Sequence, residues 1–455
     1  MRCLLMALLL VAAASAARRN QIDAGLPEPH STHEMTFRRG VRFNKWLQAG
    51  TTPLPMNGGL LTTGGYTIKL AIGLKSTTGP AQPVATFDAI VDTGSSNTAV
   101  PAVGCGNCQS PAGLYNRSAS ALFRRLACTD DMCKNPTPTA VGSTAVPPAA
   151  ARPPYALPWK AQCVAGGDCG FAISYGGGAS GAAGAIGQDR ACLVSSTTEL
   201  CASAAFVGAI TNEFPAGTLN TGIVGFAFPA NSCTPSCQPT LLDAMVAEGT
   251  LRPEQNVLGM CLTASSGGRL DLGGVNASRA TGPIEWAPIV SQRWYNIELL
   301  RILVNGAPLD TPIFLTNIQN DQIGTFPDSG TTVVLMNTYA FGVLTAKLQS
   351  MQLPHIADFL GGNGCAHPSW AIEVQAAYPT ISFELAGYSG RNVTVSMNGR
   401  QYLMAVGGGQ LCFGIAGVPS LGLILGDVIL QNYYTVYDRQ GGKVGFAPLA
   451  ANGCT

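Results

Sequence analysis

Two short stretches of this 455-residue chain carry the side chains that could do chemistry. Ala89-Ile90-Val91-Asp92-Thr93-Gly94-Ser95-Ser96-Asn97 and Phe326-Pro327-Asp328-Ser329-Gly330-Thr331-Thr332 each place an Asp before a small hydroxyl residue, a Gly and a second hydroxyl. Two carboxylates on equivalent loops suggest an acid–base pair shared between two halves. If Asp92 and Asp328 face each other, they cannot both ionise cheaply. Like charges at hydrogen-bonding distance push their pKa values apart, so the pair holds one proton over a wide pH range. A carboxylate beside a carboxylic acid can take a proton from water while its neighbour polarises a carbonyl. Gly94 and Gly330 would let each backbone approach the opposite loop where a Cβ would clash. The Ser95 and Thr331 hydroxyls would donate to the outer oxygen of each Asp. Thr93 and Ser329, directly after each Asp, complete the supporting set.

A single D-[ST]-G reads as a glycine turn; the surroundings set these two apart. Thr86–Val91 and, more weakly, Ile323–Phe326 read as strands leading into the two loops. Each loop is followed later by an apolar stretch ending on Gly, first Thr221-Gly222-Ile223-Val224-Gly225-Phe226-Ala227-Phe228 and then Leu423-Ile424-Leu425-Gly426-Asp427. An internal repeat of loop plus apolar-Gly strand is what a duplicated lobe would leave behind.

On these residues the chain resembles the pepsin-like aspartic endopeptidases. The resemblance runs from about Gly65 to Pro448. Its most specific segments are Val91–Pro101, Phe171–Ser180, Gly222–Phe228, Asp328–Thr332, Leu425–Val428, Tyr433–Arg439 and Lys443–Pro448. It implies an all-β, bilobal fold of two related barrel-like lobes with a cleft between them. It also implies hydrolysis of extended polypeptides by a water held between Asp92 and Asp328, with no cofactor and no covalent intermediate. A flap hairpin would close over the substrate, with Tyr175 at the flap tyrosine position and Gly176 and Gly177 at its tip. Ala99 stands where pepsin has a Trp supporting that tyrosine. The alternative is a binding or inhibitor protein on the same fold. Such relatives usually lose a catalytic Asp or its Gly, and this chain keeps both loops whole.

Composition agrees with that frame. Only 11% of residues are charged and 55 are Gly, which favours an all-β body over a helical one. The net charge of +1, without a Lys/Arg block, leaves no electrostatic footprint for nucleic acid. The length suits two lobes with their own cores. The expected division is a signal peptide over 1–16, a leader or pro-segment over 17–59, a first lobe over 60–290 and a second over 291–455. Arg2, the apolar run Leu4–Val11 and Ala14-Ser15-Ala16 have the form of a secretory signal, with a stretch too short to anchor in a bilayer. The basic leader, with Arg38-Arg39 as a processing site, would pair with the dyad until acid neutralised it. Cutting there removes five Arg and three acidic residues and takes the net charge to about −1. The expected product is a monomeric protein, secreted or sent to a vacuolar or lysosome-like compartment, with polypeptide substrates as its partners and no membrane anchor.

The cysteines support that route. Apart from Cys3, fourteen remain, an even number that suits full pairing in an oxidising compartment. They are Cys105, Cys108, Cys128, Cys133, Cys163, Cys169, Cys192, Cys201, Cys233, Cys237, Cys261, Cys365, Cys412 and Cys454. The first eight, with Tyr115-Asn116-Arg117-Ser118, resemble the insertion of nepenthesin-type, plant-like members. Cys105-Gly106-Asn107-Cys108 has redox or zinc spacing, but the secretory setting favours a disulfide framework, and the four His show no ligand spacing, so no metal is expected. Sequence does not give the connectivity. Cys233 and Cys237 could close a small loop, and the resemblance implies a Cys365–Cys412 bond. Asn116, Asn276 and Asn392 are glycosylation sequons. Asn135–Pro158, rich in Pro and Ala, reads as an exposed loop. Thr240–Leu251 has helical spacing, and Asn337 is the expected N-cap of a second helix through Met351.

Overall fold

The structure is a computed structural model. It describes residues 51–455 except 62–63, 135–162, 165, 176–179, 215–218, 220, 233–236, 312–322, 362–363, 367–370, 389, 407–409, 420 and 455. The signal, most of the leader, the Pro/Ala-rich loop, the flap tip with Gly176 and Gly177, and Cys233 lie outside the described residues.

The body is mostly β, as composition predicted. One large sheet runs through the first half of the chain and takes in the chain's end. Tyr433–Asp438 pairs antiparallel with Val257–Leu262, and Lys443–Pro448 pairs with Glu285–Pro288. The expected lobe division at 290 is therefore crossed by these returning strands. The last residues of the expected leader are part of the same sheet. Thr52–Gly59 is a strand whose first part pairs with Gly268–Leu272 and whose last three residues pair with Gly65–Thr67. Leu54 and Met56 are buried while Pro53 and Pro55 face out. Proline cannot donate to a ladder. Here, with a partner along one side only, that loss is tolerated.

The internal repeat is structural. Ala85–Asp92 lies parallel to Ile223–Gly225, which pairs antiparallel with Thr98–Pro101. Thr325–Pro327 lies parallel to Leu423–Leu425, which pairs antiparallel with Val334–Asn337. In each half an apolar three-residue strand is inserted between the strand entering the Asp loop and the strand leaving it. Gly225 permits the contact: a Cβ there would stand 2.5 Å from Ser96 N.

The two expected helices form with their expected caps. Thr240 accepts from Asp243 N and Asp243 returns a bond to Thr240 N, opening Leu241–Ala247 with a capping box. Asn337 caps Thr338–Ser350, which buries Ala340, Leu344 and Leu348. Among the described residues no helix is long and apolar enough to cross a membrane.

Disulfides join Cys105–Cys108, Cys128–Cys163, Cys133–Cys169, Cys192–Cys201, Cys261–Cys454 and Cys365–Cys412. The last is the pair implied by resemblance; its cysteines face each other in antiparallel register. Cys237 is also disulfide-bonded. Asp168 forms ion pairs with Arg117 and Arg125, tying their loop to the strand Asp168–Tyr175. Of the sequons, Asn116 and Asn392 are exposed and Asn276 is half-buried.

Candidate active site

Each Asp loop is built the same way. Gly94 N and Ser95 N donate to Asp92 Oδ1 at 2.8 and 3.1 Å, and Ser95 Oγ donates to Oδ2 at 2.5 Å. Gly330 N donates to Asp328 Oδ1 at 2.8 Å, and Thr331 Oγ1 donates to Oδ2 at 2.6 Å. The sequence reading gave the hydroxyl bonds but not the amide bonds, which fix the second oxygen of each carboxyl.

The loops are then locked to each other by Thr93 and Ser329. Ser329 N donates to Thr93 Oγ1 at 3.0 Å, and Thr93 N donates to Ser329 Oγ at 3.2 Å. Ser329 Oγ donates to Val91 O at 2.8 Å and Thr93 Oγ1 to Pro327 O at 3.3 Å. These hydroxyls are buried, so each bond made here avoids an unpaired polar group.

The glycines set the spacing. A Cβ on Gly94 would stand 2.4 Å from Asp328 Oδ2, and one on Gly330 would stand 2.4 Å from Asp92 Oδ1. Each carboxyl thus packs on the bare Cα of the opposite loop, close enough for the two to interact electrostatically. Asp92 and Asp328 are 4% and 6% exposed, reachable but largely desolvated. Burial, and then the charge of Asp328, push Asp92 well above the usual carboxylate range; the Ser95 hydrogen bond opposes them.

Tyr175, the expected flap tyrosine, ends the strand Asp168–Tyr175 and pairs with Ser180. It packs in an apolar cluster with Ala99, Phe171 and Ile223. Its hydroxyl is buried beside Ser95 and the two Asp without a well-formed hydrogen bond. Position 99, in the same cluster, is Ala and offers it no hydrogen-bond donor. Burial, then the Asp92 charge, keep the phenol protonated.

Several neighbours were not singled out by sequence reasoning. Trp294 Nε1 and Asn231 Nδ2 both donate to Gly94 O, at 2.8 and 2.9 Å, and the Trp294 ring stacks on Phe326 at 5.3 Å. Tyr437 Oη meets Thr93 Oγ1 at 3.3 Å. Asp427 is wholly buried, and neither of its carboxyl oxygens has a hydrogen-bond partner among the described residues. Burial, then the charges of Asp328 and Asp92, raise its pKa well above normal. A signal existed for Asp427, an acidic residue ending an apolar run. The contacts of Asn231, Trp294 and Tyr437 span 137 to 344 residues and leave no local mark. Cys192, Glu199 and Cys201 cluster closely enough for a metal, but a disulfide occupies the two sulfurs.

Comparison with known proteins converges on the same chemistry. Residues 165–449 match the eukaryotic aspartyl protease family. Cathepsin E-A of Xenopus laevis is 27% identical over 238 residues, 50% of this chain and 53% of that protein. Human gastricsin is 29% identical over 246 residues, 50% of this chain and 54% of its own length. The chain thus spans about half the length of these two curated relatives. Aspartyl protease AED1 of Arabidopsis thaliana is 24% identical over 428 residues, 90% of this chain and 77% of that protein. The family match begins beyond Asp92, and the first loop repeats the geometry of the second, which lies within it. Two Asp loops locked face to face, and a family match over more than half of the sequence, lead to one assignment: the chain belongs to the eukaryotic aspartyl protease family.

Proposed function

We propose that the chain is an aspartic-type endopeptidase in which Asp92 and Asp328 activate one water. The carrying observation is reciprocity: each carboxyl rests on the other loop's glycine and is bonded by its own loop in the same pattern. The ionised member takes a proton from the water. The protonated member donates to the scissile carbonyl oxygen. A gem-diol forms and collapses as the leaving nitrogen is protonated, and the dyad returns to its single-proton state. Ser95 and Thr331 hold the outer oxygens, so the inner ones stay directed at the substrate. The hairpin ending at Tyr175 closes over an extended polypeptide and excludes water.

On this reading the enzyme travels the secretory route, to the outside or to a lysosome-like compartment. It works as a monomer on polypeptides, needs no cofactor and has no nucleic-acid partner. The disulfide set and the near-neutral charge support that placement. The test is cleavage of a denatured protein at acid pH, blocked by pepstatin and lost in Asp92→Asn. A processed wild-type protein that cuts nothing between about pH 2 and 7 would refute the assignment.

A further inference from the structure

The polar layer under the dyad is not symmetric. Ser329 Oγ meets only backbone, Val91 O at 2.8 Å and Thr93 N at 3.2 Å. Thr93 Oγ1 accepts from Ser329 N and has one hydrogen to share between Pro327 O and Tyr437 Oη, each at 3.3 Å. The loop-to-loop bond on the Thr93 side is thus the longer of the two, and a phenol oxygen supplements it.

Tyr437 is held rigidly enough to matter. It is fully buried on Tyr433–Asp438, the strand that carries the chain's end back to the first half. Its ring lies 4.6 Å from that of Tyr295. The Tyr295 hydroxyl donates to Phe226 O at 2.5 Å, and Phe226 N donates to Asp92 O at 2.8 Å. The aromatic pair therefore reaches the Asp92 loop twice, once through a backbone carbonyl and once through the Thr93 side chain. No equivalent side chain meets Ser329 among the described residues.

We propose that Tyr437 is a positioning residue for the dyad. Through Thr93 it fixes the loop that carries Asp92, and its one-sided dipole makes the two Asp unequal as holders of the shared proton. This rests on the reading of Asp92 and Asp328 as the catalytic pair. The titratable groups facing Tyr437 are Asp328, Asp427 and Tyr295; burial keeps the phenol neutral, so it acts as a dipole and not as a charge.

The test is Tyr437→Phe in the full chain, an isosteric change that removes one oxygen. Losing one hydrogen bond to the loop should lower kcat by roughly 3- to 10-fold. KM should stay within about twofold, because Tyr437 contacts the loop and not the substrate. The limbs of the pH–rate profile should move, and melting temperature should change little. A variant with the wild-type kcat and a superimposable profile overturns the proposal. So does a kcat loss that tracks a fall in melting temperature while the profile keeps its position. An inactive wild-type protein would instead overturn the catalytic reading itself.

Discussion

Gly94→Ala tests the spacing of the two loops directly. The new Cβ would stand 2.4 Å from Asp328 Oδ2, 2.5 Å from its Cγ and 2.6 Å from its Oδ1, where ordinary contact begins near 3.4 Å. About 1 Å must be found. Asp328 cannot swing aside freely, because Gly330 N and Thr331 Oγ1 hold its two oxygens at 2.8 and 2.6 Å. Nor can the Gly94 backbone retreat freely, since Trp294 and Asn231 both bond its carbonyl. A misplacement of this size costs on the order of 100-fold in rate, and overpacking costs about 1–3 kcal/mol of stability. The assay is kcat/KM on a fluorogenic peptide beside a urea melt. Gly330→Ala should behave alike, because its Cβ would meet Asp92 Oδ1 at 2.4 Å. Gly342→Ala, whose Cβ would meet nothing within 4 Å, is the silent control. If Gly94→Ala kept activity within about fivefold of wild type, the tight reciprocal contact would be wrong and the spacing argument with it.

Two further outcomes follow from the buried acids and the staples. Burial, chiefly, holds the Asp427 carboxyl well above the ordinary carboxylate range. The folded state thus prefers its protonated form. The stability it contributes is full below the unfolded pKa and is lost as pH rises through the folded value. Melting temperature should fall with rising pH across that window, and Asp427→Asn should flatten the slope; an unchanged slope would remove Asp427 from the account. The Cys261–Cys454 bond closes 193 residues of separation, so Cys454→Ser should cost about 2–5 kcal/mol in denaturant unfolding, the usual range for a native disulfide. A loss under about 0.5 kcal/mol would mean that the Arg279 bond to Gly453 O holds the chain's end without the disulfide.

What the sequence determined by itself was whatever local chemistry dictates. Asp-Thr-Gly-Ser and Asp-Ser-Gly-Thr specify loops in which a hydroxyl three residues on can reach its own Asp, and both do. Thr240 and Asn337 announced their helices because a cap bonds within three residues. The apolar-Gly repeat marked two equivalent halves, each now seen as a parallel strand pair. Tertiary structure decided the rest, because the partners are far apart in the chain. That Thr52–Gly59 forms a strand was not legible, since its partner at Gly268–Leu272 lies some two hundred residues away. Tyr437 reads as one more strand aromatic until the fold sets its hydroxyl against Thr93, 344 positions earlier. Asp427 could have been an exposed helix cap. Its burial near Asp328 and Asp92, and so its raised pKa, exists only in the folded chain. Periodicity and caps are properties of neighbours, whereas desolvation and coupling between charges belong to the folded whole.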